Sequence, residues 1–502
     1  MPEDTATAPP VPPTAETGTP TETGTAADEG LKQQYTMRSA FALAFSDVSP
    51  IVGLYGVFAL GIVTAGPAFW WAFPVVLVGQ LLVSGVFGEL VSRWPLQGSV
   101  YQWARHLIGP RYGWFTNWAY MWGLTLALSA LAYAASGFLI AAIGLTDVSG
   151  TTQALIALGV LLFGSAANMI GGRVLKILLY CSLTAELVAT LGIGIALLFL
   201  HRAHPLSVIL SGGGTAHGSQ WLLGPFLGAV AMAGWSFVGF ESAGSIAEEV
   251  KESRRVLPKA MPLALAAVGL LIMFASLGIL LAMPDIGAVL SGKDSDPVAT
   301  TLQAQLGSST GKALLIALVV GFTASLMAVQ AAVSRAIWAG ARDRAIPGAR
   351  LLGRLSGTER VPRNAIVLTA VIAGSLLFIS ASKVYVLLLS FANAGFYLSY
   401  ALPVLGAVYV RLRGTWAPGE VSMGRWGTPV TLAAGVWVIF ESVNIAWPRA
   451  LNGVWYLDWG LLIMTGALGA IGAMVSWWVF RPERDVSPAS ALHSVALDEG
   501  GA

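Results

Sequence analysis

Long apolar segments alternate with short polar ones between residues 39 and 480 of this chain. A helix needs roughly 20 apolar residues to cross the hydrocarbon core of a bilayer, and nearly all of these segments are that long. Only 11% of the residues are charged, against about 25% in soluble domains, which excludes a soluble enzyme. We therefore predict an all-α polytopic membrane protein with twelve transmembrane helices. The segments, numbered 1 to 12 in chain order, cover approximately residues 39–65, 69–93, 113–143, 152–170, 174–200, 222–247, 261–283, 312–341, 364–381, 384–410, 427–446 and 456–480.

The basic residues are distributed unevenly between the two sides of the predicted bundle. If the N-terminus is cytoplasmic, all but five of the 28 basic residues lie on the cytoplasmic side. The exceptions are Arg202, Lys293, Lys312, Lys383 and Arg449. The positive-inside rule then predicts a multi-pass protein of the cell membrane with both termini in the cytoplasm.

The two ends of the chain are expected to lie outside the membrane domain. Residues 1–36 contain six acids and no base before Lys32, a composition that cannot bury a core, so we expect a disordered cytoplasmic tail. This stretch also lacks the basic start and apolar core of a cleavable signal peptide. We expect one transmembrane domain over residues 37–480 and a polar cytoplasmic tail over residues 481–502.

Composition and motifs argue against several classes of function. The formal net charge is +2, so no excess of basic residues points to a nucleic acid partner. The single cysteine, Cys181, allows no internal disulfide, and the five histidines lie at segment ends, in loops or in the tail, so the apolar segments hold no cluster suited to a catalytic metal. No ATP-binding GxxxxGK[ST] motif occurs, and no nucleophile, base and orienting acid occur together. We expect no enzyme activity, cofactor or metal. The expected partners of the protein are membrane lipid and a small-molecule substrate. The sequence leaves the oligomeric state open.

Segments 1 and 6 contain residues that interrupt helices. Segment 1 has the run Ser46–Gly53, with Asp47 and Pro50, and segment 6 has the run Gly234–Ser242, with Glu241. Proline removes a backbone donor and glycine lowers helix stability by about 1 kcal/mol relative to alanine. We predict unwinding near residues 48–52 and 237–242; the alternative is two kinked helices with satisfied polar groups.

The positions of the two interruptions suggest an internal repeat. Segments 1 and 6 each begin a group of five segments, residues 39–200 and 222–410, with segments 11 and 12 (427–480) outside the repeats. This order is typical of transporters built from inverted repeats. With a rise of 1.5 Å per residue, Asp47 and Glu241 each lie about 9–12 Å inside the cytoplasmic surface. The two acids could therefore share a cavity.

Several stretches resemble the amino acid, polyamine and organocation permease superfamily. The stretch Glu89–Tyr101 is similar to the Glu, Ser, Pro, Gly and Tyr signature that closes the second helix of that superfamily. Glu248–Pro258 and Ser334–Pro347 are similar to its cytoplasmic loops after helices 6 and 8. Three shorter motifs most resemble the amino acid/choline transporter branch: Ser49-Pro50, Gly66-Pro67 and Tyr400-Ala401-Leu402-Pro403. The resemblance covers about residues 38–480, and it implies a LeuT-like fold with two inverted five-helix repeats, two peripheral helices, and a substrate site between helices 1 and 6.

The candidate substrate site consists of residues at the two interruptions. Free N–H groups where segment 1 resumes, at Ile51, Val52 and Gly53, could bind a carboxylate with help from the helix dipole. Exposed carbonyl groups of segment 6 would attract an ammonium group, so a zwitterion fits this polarity. The predicted substrate-binding residues are Asp47, Ser49, Ile51, Val52, Gly53, Trp235, Phe237, Gly239, Phe240 and Glu241.

Asp47 and Glu241 each have two interpretations. A charge at the centre of a spanning helix costs about 2.5–3.5 kcal/mol on insertion scales, so an unpaired structural Asp47 is unfavourable. The amino acid/choline branch usually has an aliphatic residue at this place, whereas the spacing around Asp47 resembles biogenic-amine transporters, in which that acid binds the substrate amine. The alternative is that Asp47 caps the resumed helix or pairs with a buried donor. Glu241 is either a second ligand of the amine or an internal hydrogen-bond anchor.

Glu186 is the candidate coupling residue. It lies in the middle of segment 5 among apolar neighbours, where burial favours the neutral acid. Some proton-coupled relatives have a lysine at about this place, between helices 1, 5 and 8. Three possibilities stay open: proton coupling through Glu186, a structural hydrogen bond, and sodium coupling with the hydroxyl groups of Thr323 and Ser325. Glu441, outside the repeats, is expected to be a packing acid or an oligomer contact.

The function that fits these features is import of an amino acid or small organic amine by a secondary-active, proton-coupled transporter. Sodium-coupled or exchange transport of the same substrates is an alternative, as is a sensor that binds without transport. The aromatic residues Tyr133, Phe391 and Phe396, together with those of segment 6, could line or gate the pocket, although most aromatic residues of such a chain face lipid or the core.

Overall fold

The computed structural model describes residues 33–145, 147–378, 384–449 and 455–480. Eleven helices among them are long and apolar enough to cross a membrane, and regular structure in these ranges is helical apart from two isolated bridges. The expectation of an all-α polytopic membrane protein is therefore confirmed. Most of the predicted tails, residues 1–32 and 481–502, and the last residues of segment 9 lie outside the described residues.

The helices overlap all the predicted segments, although the helix of segment 7 begins at Ser253, eight residues before the predicted start. Segments 1 to 5 comprise the helices Met37–Val48 and Pro50–Ala65; Pro67–Trp71 and Ala72–Arg93; Pro110–Ala142; Gly150–Ile170; and Gly172–Ile195 with Ala196–Leu200. Segments 6 to 8 comprise Gly218–Trp221, Leu222–Phe226, Leu227–Ala233, Gly234–Phe237 and Ser242–Ser245; Ser253–Ala282; and Ser308–Arg342. Segments 9 to 12 comprise Arg363–Leu376; Val384–Leu412; Gly427–Ala446; and Gly460–Val479. Short helices that the apolar pattern does not predict lie between the segments, at Val100–Leu107, Leu206–Leu210, Ala247–Glu249, Ile286–Leu290, Pro297–Leu306, Ala349–Leu352 and Gly424–Trp426, and a separate short helix, Trp455–Asp458, covers the start of segment 12.

Segment 9 is shorter than the sequence indicates. Its helix Arg363–Leu376 has 14 residues, which is about 21 Å at 1.5 Å per residue and less than a bilayer core. The helix ends in a turn in which the N–H of Leu377 bonds to the carbonyl of Gly374. The described residues thus contain eleven candidate spans and one shorter apolar helix, and twelve spans remain a prediction.

Segments 1, 2, 6 and 8 occupy the centre of the bundle. The most apolar window of segment 1 is 72% buried inside the protein, whereas that of segment 12 is 11% buried, so segment 12 presents most of its surface to lipid. Segment 3 packs along both segment 8 and segment 10. Gly123 and Gly395 bring segments 3 and 10 into close contact, since a methyl group on Gly395 would lie 2.6 Å from the Cα of Gly123. Small residues allow such close approach of membrane helices.

Ion pairs join the ends of segments 6 and 8 on the side that the charge distribution predicts to be cytoplasmic. Arg335 donates to Glu249 over 3.1 Å with both side chains 4% exposed, and Arg342 pairs with Glu248 at 2.9 Å. Removing one member of a buried pair leaves an uncompensated charge and costs about 3–5 kcal/mol. The two pairs therefore hold the end of segment 6 against the end of segment 8.

Candidate functional site

The interruption of segment 1 lies at Ser49. The first helix ends at Val48, Ser49 has a φ of 47°, and the helix resumes at Pro50, so the predicted break is present but shorter than expected. The Ser49 hydroxyl accepts a hydrogen bond from the N–H of Val52 at 3.2 Å and donates to a carboxylate oxygen of Glu186 at 2.5 Å. Ser49 thus caps the resumed helix, a role that the sequence analysis had considered for Asp47.

The N–H groups at the start of the resumed helix already have partners. Pro50 has no N–H, and the N–H of Gly53 bonds to the carbonyl of Ser49 at 2.9 Å. The N–H of Val52 bonds to the Ser49 hydroxyl, and the N–H of Ile51 interacts with the carboxylate of Glu186. The carboxyl group of Glu186 therefore occupies this helix terminus, and the expectation of free N–H groups for a substrate carboxylate does not hold in this conformation.

Glu186 lies where segments 1, 5 and 8 meet. Its side chain is fully buried, and its second oxygen accepts a hydrogen bond from Ser182 at 2.7 Å. A methyl group on Gly321 of segment 8 would lie 3.5 Å from its carboxylate carbon. Of the two hydroxyl groups considered for sodium, Ser325 donates to the carbonyl of Asp47 at 3.1 Å, whereas Thr323 donates to Val319 of its own helix.

The interruption of segment 6 lies between Phe237 and Ser242, as predicted. Val238 is extended, and Gly239 has a φ of 102°, a conformation that favours glycine. A methyl group at Gly239 would lie 2.5 Å from an oxygen of Asp47. The two interruptions therefore pack directly against each other, and Gly239 is the residue that permits the contact.

Glu241 is held behind this contact by two tyrosines. Tyr120 donates to one oxygen of the buried carboxylate at 2.8 Å, and Tyr400 donates to the other. The Tyr400 hydroxyl also accepts the N–H of Gly239 at 2.9 Å. This arrangement fits the internal anchor rather than the amine ligand, and the sequence analysis did not predict Tyr120.

A small cavity lies beside Asp47. Its volume is about 10 Å³, close to the roughly 10–15 Å³ that one water molecule requires by the same measure. One oxygen of Asp47 and the indole N–H of Trp235 are buried without a hydrogen bond of normal length among the described residues, and the hydroxyl group of Ser242 lies near the Asp47 carboxyl group. The lining residues are Asp47, Val48, Val52, Leu131, Trp235, Val238, Ser325, Val329 and Phe396.

Three of the predicted binding residues line this cavity: Asp47, Val52 and Trp235. Glu241 does not, so the two acids do not share it. Phe237 and Phe240 lie elsewhere, since their rings contact Phe73 and Phe87.

The remaining predicted residues pack around the interruptions. Ile51 contacts the Gly321 backbone position, and the carbonyl of Gly53 accepts the Ser236 hydroxyl at 2.8 Å. Of the three further aromatic candidates, the lining includes Phe396 but neither Tyr133 nor Phe391. Leu131 and Val329 were missed because nothing in the sequence distinguishes them from other apolar residues of a spanning helix, whereas Val48 and Val238 lie within the predicted interruptions but were not among the predicted binding residues.

The fold and the enclosed cavity at two helix interruptions are features of a polytopic membrane permease. The chain belongs to the amino acid permease family, whose profile matches residues 35–468. It is 24% identical to an uncharacterized amino-acid permease of Schizosaccharomyces pombe, over 86% of this chain and 82% of the relative. It is also 24% identical to the amino-acid permease BAT1 of Arabidopsis thaliana (90% and 92%) and to a choline transporter of Saccharomyces cerevisiae (84% and 77%). The family resemblance is confirmed, and the family comprises transporters rather than enzymes.

Replacing Ser49 with alanine should destabilise the protein. Ser49→Ala removes the cap of the resumed helix and one donor to buried Glu186, and loss of a capping side chain alone costs about 0.5–2 kcal/mol. We expect a lower melting temperature of the purified protein in detergent. Ser276→Ala is the matched control, because Ser276 is equally buried but bonds only to Met273 of its own helix. Equal melting of the two variants would contradict the structural role of Ser49.

Proposed function

We propose that this protein is a secondary-active transporter that imports an amino acid or small organic amine by alternating access around segments 1 and 6. One observation carries the proposal: an oxygen of Asp47 is buried without a partner and borders a cavity between the two interruptions. Because an unpaired buried carboxylate is costly, a cationic ligand is the natural partner. The names of the relatives, amino-acid permeases and a choline transporter, fit a substrate that carries an amine or ammonium group.

The cavity chemistry favours recognition of the cationic end of the substrate. Trp235 and Phe396 border the same space as Asp47, and aromatic faces attract cations by about 0.5–2 kcal/mol. The N-terminus of the resumed helix, which would otherwise bind a substrate carboxylate, carries Glu186. We infer that Asp47 binds the amine of the substrate. A carboxylate group of the substrate, where it has one, contributes less to binding in this conformation.

Substrate entry requires the cavity to expand. A space of about 10 Å³ cannot hold an amino acid, so the structure corresponds to a closed state of the site. The ion pairs of Glu248 and Glu249 close the end predicted to be cytoplasmic. We infer that opening moves the interrupted segments 1 and 6 against segments 3, 8 and 10, as in an inverted-repeat transporter of the LeuT-like type.

The proposed orientation places both termini in the cytoplasm. Lys251 and Lys293 are exposed and lie in the loops before and after segment 7. In a Cys181→Ser background, a membrane-impermeant maleimide applied to intact cells should label Lys293→Cys and leave Lys251→Cys unlabelled. The reverse pattern would invert the orientation.

Proton coupling through Glu186 is the proposed driving mechanism. Its hydrogen bond with Ser49 links segment 5 directly to the interruption of segment 1. A charged and a neutral carboxyl group interact differently with a helix terminus, so protonation would bias the position of the resumed helix. The sodium alternative uses the same junction, with Ser325 as the nearest hydroxyl of segment 8 to the interruption.

Asp47→Asn should weaken binding of an aminated substrate by at least about 2 kcal/mol, because the neutral amide cannot pair with a buried cation. A thermal-shift screen of the purified protein against amino acids and amines, including choline, would supply the ligand, and calorimetry would give the affinities. Asp285→Asn is the control, since this exposed acid caps the short helix Ile286–Leu290 outside the cavity. Unchanged affinity of the folded Asp47→Asn variant for the substrate would contradict the proposed amine site.

Glu186→Gln should impair accumulation of substrate against its gradient without impairing exchange of substrate across the membrane. The amide imitates the neutral acid, so accumulation of substrate in proteoliposomes under an imposed pH gradient should fall, whereas exchange of internal for external substrate should persist. Accumulation at the wild-type level would exclude Glu186 as the proton site. Wild-type uptake that needs sodium and ignores pH would favour the sodium alternative.

A further inference from the structure

A second buried acid lies outside the cavity, in segment 11. Glu441 is fully buried and precedes the end of its helix, Ala446, by five residues, about 8 Å at 1.5 Å per residue. Its side chain faces the interior, so an oligomer contact, one of the two roles expected from the sequence, is excluded for the carboxyl group. Nothing in the proposed transport mechanism uses it.

Hydrogen bonds connect Glu441 to the loop after segment 11. The amide of Asn444 donates to one oxygen of Glu441 at 3.1 Å and to the carbonyl of Leu227 in segment 6 at 3.0 Å. Arg449, which is half-buried at the end of the bundle, donates to the Asn444 side-chain oxygen at 2.6 Å. The carboxyl group is thus linked through one side chain to the surface opposite the cytoplasmic ion pairs.

The other oxygen of Glu441 faces segment 6 without a partner among the described residues. A methyl group on Gly234 would lie 3.2 Å from this oxygen and 3.1 Å from the hydroxyl of Tyr397. The Tyr397 hydroxyl and the amide of Gln80 are close to each other, yet neither makes a hydrogen bond of normal length within the part of the chain described. Unpaired oxygens of Glu441 and Tyr397 therefore lie against Gly234, which directly precedes the cavity residue Trp235.

The groups facing Glu441 include one cation, and it does not contact the carboxyl group directly. Segment 11 packs on segments 2, 6 and 10, which present Gln80, Gly234 and Tyr397 to this site. Arg449 is the charged group nearby, and burial lowers its pKa while the charge of Glu441 acts in the opposite direction. Because its guanidinium bonds to Asn444, an ionised Glu441 would have no direct cationic partner among the residues described, and a buried charge of that kind is unfavourable.

We propose that Glu441 is a second proton-binding site, which takes up one proton from the side of Arg449 when segment 6 packs against segment 11 and releases it when that contact opens. The proposal rests on the alternating access described above, since it needs segment 6 to move. The ligand is the proton itself, bound by a lone pair of the oxygen that faces Gly234. When water reaches the carboxyl group, the O–H bond breaks and the proton passes to the water; no other bond changes.

The direction in which pH shifts the equilibrium between the packed and open states follows from which state buries the charge of Glu441. The packed state favours neutral Glu441, and the open, hydrated state allows the carboxylate, so acidic solution favours the packed state and alkaline solution the open one. If the side of Arg449 is extracellular, as the charge distribution predicts, external protons promote closure of the site from that side.

Infrared difference spectra of the purified protein between alkaline and acidic pH test the site directly. The wild type should show protonated-carboxyl absorption in which one component is lost in Glu441→Gln and retained in Glu186→Gln. Glu420→Gln is the matched control, since Glu420 is an exposed acid paired with Arg255, and it should keep this component. Protonated-carboxyl absorption that is the same in Glu441→Gln as in the wild type would overturn the proposal.

Cysteine labelling tests the movement. Thr64 of segment 1 and Arg449 after segment 11 both lie against the Gly228 backbone position of segment 6, so Thr64→Cys in a Cys181→Ser background should react with maleimide faster when segment 6 moves away from segment 11. Labelling rates, normalised to Lys293→Cys for the pH dependence of the thiol, should rise several-fold from acidic to alkaline pH. Glu441→Gln should abolish this rise, and Glu441→Asp, which keeps a titratable group, should restore it.

The outcomes are distinct from those of the transport proposal. Neither readout uses a substrate, so both can succeed when the Asp47 and Glu186 experiments fail, and the reverse also holds. A normalised rate that does not change with pH in the wild type, or a rise that persists in Glu441→Gln, would refute the role of Glu441. Melting curves of each variant show whether it is folded, and Glu441→Asp keeps the test decisive where Glu441→Gln is not.

Discussion

The hydrogen bond between Ser49 and Glu186 is the interaction on which the candidate site depends. A spanning helix can be interrupted only where other groups satisfy its freed backbone, because lipid offers no hydrogen bonds. Segment 1 meets this requirement with a carboxylate from segment 5, which occupies the start of the resumed helix. The cost of burying that carboxylate is offset by Ser49, Ser182 and the N–H of Ile51, so the acid and the interruption stabilise each other.

The interruption of segment 6 is maintained by different chemistry. Tyr120 and Tyr400 saturate Glu241 with hydroxyl donors, and Tyr400 also binds the backbone of Gly239. Glu186 and Glu241 are thereby committed to holding the backbone, whereas Asp47 keeps an oxygen without a partner beside the cavity. This division explains why acids that look alike in the sequence differ in what they can bind.

The closed cavity and the ion pairs at the ends of segments 6 and 8 describe one conformational state. Opening it requires separation of buried groups: the ion pairs of Glu248 and Glu249 at one end, and the contacts of Gly234 with Tyr397 and Glu441 towards the other. A ligand can shift such an equilibrium only through different affinities for the two states. Buried acids whose hydration changes between the states give protons that differential affinity.

Hydrophobic length, Pro-Gly runs and motif residues are local signals, so they were sufficient to predict the membrane class, the approximate positions of the helices, the two interruptions and the family. The roles of the individual acids became clear only from contacts between segments. Ser49 rather than Asp47 caps the resumed helix, Glu186 takes the place expected for a substrate carboxylate, and Tyr120 anchors Glu241 from 121 positions away in the chain. These roles depend on distances between segments remote in sequence, which no local pattern encodes. The same reason explains why the sequence did not predict that Leu131 and Val329 line the cavity. The neighbours of a side chain in a bundle are set by the rotation and packing of whole helices.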